Sequence, residues 1–227
     1  MIGIIGAMMP EIEHLTNIMT EKKETVFGKL TFVCGKIHNK EVVCTVCGIG
    51  KVYAAIAAQT MIIHYHADMI INTGVAGGLT KSLKIFDIAI AQAVVEYDMD
   101  TTAFGDPLGF VSGLDTVELV SDKEIANKLY ESAKMLGLHC EKCTIASGDR
   151  FVEDINFKKF LNEHFNASAC EMEGAGIGQT CLINNVPFGI IRCISDSSDS
   201  DHNDYNEFMK KAAKNSADVM ELFIKNL

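Results

Sequence analysis

The 227 residues, 48% apolar and 22% charged, are enough for one well-filled core and few for two, so a single domain spanning 1–227 is expected. With 20 basic and 30 acidic residues the formal charge is -10, which repels nucleic acid and anionic lipid and favours a neutral or cationic small ligand as partner. The opening MIGIIGAM carries no basic region, and the most apolar stretch, AAIAAQTMIIHYHADMIIN, is broken by Gln59, His64, His66 and Asp68; neither a signal peptide nor a membrane span is expected.

In chain order, IGIIGAM is a short all-apolar run of the kind buried on both faces of a sheet, and Pro10 after it suits a first helical position. Phe27 to Gly48 alternates and turns near His38 to Lys40, which predicts antiparallel strands. KVYAAIAAQTMIIHY reads as helix, ADMIINTG and DIAIAQAVVEY as strands, and SDKEIANKLYESAKMLG as helix with a Ser or Asp cap. CTIASGD follows as strand and NFKKFLNEHF as helix. ACEMEGAGIGQTC reads as a helix start, PFGIIRCISD as strand, and a closing helix runs from about Asp204 to Lys225. This alternation predicts an α/β fold, a mixed and largely parallel central sheet flanked by helices, with no internal repeat or linker.

In such a sheet the ligand cleft lies beyond the carboxyl ends of the strands. That rule selects GAMMPE, TGVAGG, SGDRFV, CEMEG and RCISDSSD, each rich in small residues that permit close backbone approach. Four acids stand there, Glu11, Glu171, Glu173 and Asp196, with Arg192 nearby. Taken singly, each acid is more simply a solvated or capping residue, and Ser168 with Glu171 has capping-box spacing. Gathered in one cleft, such carboxylates divide into acid and base when their surroundings differ, which suits cleavage at a sugar carbon.

Other signals are weak. GVAGG lacks both the dinucleotide-binding and the P-loop spacing and is expected to be a tight strand-to-helix turn. The run from Asp199 fails the calcium-loop pattern at Asp204 and Lys210. Cys44/Cys47 and Cys140/Cys143 are spaced as C-x-x-C, but on strands residues three apart point to opposite faces, so no metal is expected. Eight cysteines are read as reduced thiols, most of them buried, in a cytoplasmic protein; Cys170 and Cys193 near the cleft are reactive only if exposed.

IGIIGAM followed by Glu11, GIGKVYAA, INTGVAGGL, DTTAFG, SGDRFV, CEMEGAGI and IRCISDSSD, in order and nearly end to end, resemble the bacterial 5'-methylthioadenosine/S-adenosylhomocysteine nucleosidases. The resemblance implies a nucleoside phosphorylase-like fold, a homodimer, no cofactor or metal, and hydrolysis of the adenine–ribose bond, with roles in methionine salvage. Matched by motif, it implies Glu11 as the base that activates water, Asp196 as the acid serving adenine N7, and Glu173 as the group gripping the ribose hydroxyls. It further implies Met172 against the sugar, Phe151 stacked on the base with the Val152 backbone bonded to it, and Gly77 as a binding position. Arg192 would stand beside the water and the acids, Ser195 would support Asp196, and Tyr205 would cover the 5'-substituent. The segment DTTAFGDPLGF would complete the partner subunit's 5'-pocket. Val75 departs from the family's usual Ser, removing a hydroxyl in the turn that related phosphorylases use for phosphate. A purine nucleoside phosphorylase, a futalosine-type hydrolase and a non-catalytic nucleoside sensor are the competing readings.

Overall fold

The computed structural model describes residues 1–196 and 205–227, with backbone alone for 205–207. The buried run β1 (Ile2–Gly6) lies at the centre of a ten-stranded mixed sheet, parallel to β4 (Lys40–Val46) on one side and to β5 (Met69–Gly78) on the other. Beyond β4 the sheet continues antiparallel through β3 (Leu30–Ile37) to the edge strand β2 (Thr20–Phe27). On the other side β5 pairs with both β10 (Phe188–Asp196) and β9 (Ala167–Glu171). β10 joins β6 (Ile88–Glu96), β6 joins β8 (Cys140–Ser147), and β8 joins β9, so five strands close a circuit; β7 (Glu118–Val120) hangs on β6. Closure removes two edges and brings the carboxyl ends of β5, β8, β9 and β10 together.

Helices cover both faces. On one, α2 (Lys51–Tyr65) and α5 (Gly174–Ile183) bury Ala54, Ala57, Ala58, Met61, Ile177 and Cys181. The small residues serve close approach: a methyl on Gly176 would stand 3.0 Å from the Lys51 carbonyl carbon, so only glycine lets the two helices meet there. On the opposite face α1 (Met9–Ile18), α3 (Lys123–Met135) and α6 (Tyr205–Lys225) enclose Ile12, Leu15, Leu129, Val219 and Phe223. A smaller cluster under α4 (Ile155–Phe165) holds Val95, Tyr97, Val152, Leu161 and Phe165. Cys44 and Cys140 lie in one main core while Cys47 and Cys143 lie in the other, as strand alternation requires.

The sequence reading needs four corrections. β2 was not expected, because TEKKETVF is exposed almost throughout and carries no apolar face. β7 is only three residues long, too short for a pattern. GVAGG is not a strand-to-helix turn: β5 runs through it, paired with β10 as far as Gly77 and with β9 at Gly77 and Gly78. Ser168 and Glu171 form no capping box, since both belong to β9 and the helix starts at Gly174.

Candidate active site

Glu11 is placed by the turn from β1 into α1. Its Oε2 accepts from the amides of Ala7 (2.7 Å) and Met8 (2.9 Å), and its Oε1 from the amide of Val75 on β5 (3.1 Å). One bond thus caps its own helix, yet the side chain also lines the cleft. Only 1% exposed, its carboxyl is held above the usual range by burial, against the opposing pull of Arg192 and the three amides.

The turn between β9 and α5 supplies Glu171, Met172 and Glu173. Glu171 accepts from the amides of Glu173 (3.0 Å) and Gly174 (2.9 Å), satisfying free donors at the start of α5, and pairs with Arg192 Nη2. It therefore both caps the helix and belongs to the charge network. Glu173 accepts from the Gly50 amide (3.0 Å) through Oε1 and faces Arg192 Nη2 at 3.3 Å through Oε2. Gly50 precedes α2 with φ +106°, and the start of α2 is fixed by Lys51, whose amide donates to Asp149 (2.8 Å) and whose ammonium donates to Glu96 (2.6 Å). Burial raises the Glu173 carboxyl to about 7, with Arg192 opposing and Glu171 and Glu11 adding to the rise.

Arg192 projects from β10 with 1% exposure, a buried cation among three carboxylates; its Nη2 also donates to Asn72, which in turn donates to the Ile5 carbonyl (2.9 Å). Arg192 pairs in register with Gly74 on the adjacent strand. Further along β10 the register with β5 shifts between Ile194 and Asp196, so Ser195 and Asp196 both reach the cleft. The Ser195 hydroxyl donates to Asp196 Oδ1 (3.2 Å). Asp196 Oδ2 accepts from Lys158 of α4 at 2.9 Å. Among the described residues the cation in contact with Asp196 is thus Lys158, whereas the sequence offered only Arg192.

Most of these groups line one cleft enclosing about 630 Å³ of free space, its open mouth included. Glu11, Gly77, Phe151, Val152, Met172, Glu173, Arg192, Ser195 and Asp196 all contribute to its wall, with Met8, Ile49 and Val75 adding apolar surface. Phe151 is 48% exposed at the rim. Gly77 is fitted to its place, because a methyl there would stand 3.2 Å from Asp196 Oδ2. Val75 serves Glu11 through its backbone, a contact indifferent to the missing hydroxyl. The side chain of Tyr205 lies outside the described residues. Lys158 and Asn72 escaped the sequence reading. Among the described residues no group of three or more His, Cys, Asp or Glu side chains is arranged to hold a metal ion. Cys170 and Cys193 are buried and their thiols are pushed up to about 12, chiefly by burial, so neither is a reactive thiolate.

Residues 1–225 match the phosphorylase superfamily. A 5'-methylthioadenosine/S-adenosylhomocysteine nucleosidase of Staphylococcus aureus (strain MRSA252) is 38% identical over 229 residues, covering 100% of both chains. The crystal structure of the corresponding nucleosidase from Neisseria meningitidis, in complex with methylthio-immucillin-A, superposes with TM-score 0.95 at 39% identity, over 100% of this chain and 99% of that one. A futalosine hydrolase of Helicobacter pylori strain 26695 superposes with TM-score 0.94 at 34% identity, over 100% of this chain and 97% of that one. With its acids in one cleft and full-length likeness of this order, the chain belongs to the phosphorylase superfamily and, within it, to the 5'-methylthioadenosine/S-adenosylhomocysteine nucleosidase family.

Proposed function

We propose that this protein hydrolyses the N-glycosidic bond of 5'-methylthioadenosine and S-adenosylhomocysteine, and also of 5'-deoxyadenosine, releasing adenine and the 5'-substituted ribose for methionine salvage. The observation that carries this reading is the meeting of Glu11, Glu173 and Asp196, from three distant segments, in one cleft with Arg192 between two of them.

The three acids have different surroundings, and this supports different tasks. Glu11, kept more basic than an ordinary carboxylate by burial and oriented by three amides, takes a proton from the attacking water. Asp196, held on both oxygens, serves adenine N7, so that the base departs neutral and not as an anion. As the bond lengthens, positive charge grows on the ribose, and the surrounding carboxylates favour it in the transition state more than in the bound substrate. Glu173 grips the ribose hydroxyls, with Met172 against the sugar, Phe151 on the base, and Arg192 beside the water, offsetting the mutual repulsion of the buried acids. Val75 offers no side-chain donor to phosphate, and Arg192, one of the two arginines lining the cleft, is already bound to carboxylates, which supports water as the acceptor. No cofactor is required by this chemistry.

We further propose one domain acting as a homodimer. On α2 the exposed Val52, Tyr53, Ile56 and Ile63 fall on one face, and Phe104 is 88% exposed in the segment assigned to the neighbour's 5'-pocket. Eight free cysteines fit a reducing cytoplasm. The likeness to a futalosine hydrolase supports a second reading, with the same acids and a different 5'-group. The test is incubation with methylthioadenosine in phosphate-free buffer, following adenine. No adenine refutes the proposal, strict phosphate dependence makes the protein a phosphorylase, and release of hypoxanthine from futalosine in preference to adenine favours the second reading.

A further inference from the structure

We propose that Lys158 is a positioning residue for Asp196, fixing from outside the cleft the carboxyl that protonates the leaving base; this rests on the role given to Asp196 above. Lys158 lies on α4 with 5% exposure. Three and seven residues on, Leu161 and Phe165 are also buried, so Lys158 occupies a place in the apolar stripe that attaches α4 to the sheet. An apolar side chain would satisfy packing there. A buried ammonium instead carries a desolvation cost that an ion pair offsets only when well placed, so packing of α4 does not by itself account for lysine.

Among the described residues the ammonium meets the acid at the end of β10. Lys158 Nζ lies 2.9 Å from Asp196 Oδ2, while the Ser195 hydroxyl holds Oδ1 at 3.2 Å. Gly77 closes the remaining side, a methyl there being 3.2 Å from Oδ2. Lys158 is absent from the cleft wall and Asp196 is part of it. The carboxyl is thereby held in one plane by a group that does not touch the substrate. Proton delivery to a ring nitrogen demands such alignment, and a misplacement of about 1 Å costs on the order of 100-fold in rate.

A residue acting through Asp196 matters only when the leaving group needs a proton. The experiment therefore compares methylthioadenosine with a 4-nitrophenyl 5-methylthioriboside, whose nitrophenolate leaves unprotonated, in the parent, Lys158→Met and Lys158→Arg. Lys158→Met is expected to lower kcat for adenine release by about 10- to 100-fold with KM changed little, and to lower nitrophenolate release by less than about threefold. Lys158→Arg restores part of the loss, and Lys158→Met adds nothing to Asp196→Asn. Because both substrates are turned over by one preparation, their ratio is independent of the folded fraction; Lys158→Gln replaces the methionine variant should that fail to fold. If the two rates fall together, or neither falls, the inference is overturned. A parent protein that releases no adenine overturns the functional reading first, and this one with it.

Discussion

Gly74→Ala tests whether the charged groups of the cleft are held as tightly as their contacts imply. A methyl carbon at Gly74 would stand 2.9 Å from Glu11 Cδ and closer still to Glu11 Oε1 and Arg192 Nη1, where ordinary contact starts at 3.4 Å. Neither neighbour can yield easily. Arg192 is pinned by Asn72, Glu171 and Glu173, and Glu11 by the amides of Ala7, Met8 and Val75. Relief requires a displacement on the order of 1 Å of the acid, the arginine or β5, which predicts a fall in kcat/KM of roughly 100-fold. Overpacking of this kind also destabilises by about 1–3 kcal/mol, so the variant should melt lower while remaining folded. Adenine release from methylthioadenosine in phosphate-free buffer gives the rate, and circular dichroism the melting temperature. Gly113→Ala, where an added methyl meets nothing within 4 Å, is the control. A Gly74→Ala enzyme within about threefold of the parent would refute the claim that the two groups are fixed against each other.

Glu11→Gln and Asp196→Asn should each lower kcat by about 100- to 10,000-fold, the range for loss of one acid–base group, as measured by single-turnover adenine release. Burial raises the Glu173 carboxyl from the ordinary 4.5 to about 7, so the proton it carries stabilises the fold fully below 4.5, and that contribution is lost as pH climbs through 7. A shift of that size is on the order of 3 kcal/mol, so ligand-free Glu173→Gln should melt above the parent at pH 8, with the gap closing toward pH 5. Ile56→Glu on the exposed face of α2 should shift sedimentation toward a monomer and reduce adenine release, whereas an unchanged sedimentation profile would count against α2 as the dimer surface.

Much of the fold was legible because its strands are buried on both faces. IGIIG and DIAIAQAVV read as strands from their apolar runs, and α2 as helix from its alanine content. β2 was illegible for the converse reason: an edge strand exposed on both sides has no apolar alternation to read. In GVAGG the glycines signalled a turn, yet they serve a strand that must pass between charged side chains, since Gly74 faces Glu11 and Arg192, and Gly77 faces Asp196. The acids that line the cleft were singled out by motif and by strand-end position. Which cation served which acid was not, because pairing across the closed sheet depends on tertiary register. Lys158 had one local signal, its position in step with Leu161 and Phe165, whereas Lys159 beside it is in step with the exposed Glu163, but nothing local says which acid it would meet.

The three bonds that fix Glu11 come from main-chain nitrogens of residues 7, 8 and 75, so side-chain replacement at those positions forfeits none of them. The carboxylate proposed as general base is therefore tied to the route of the polypeptide, aimed by a geometry that no single codon encodes.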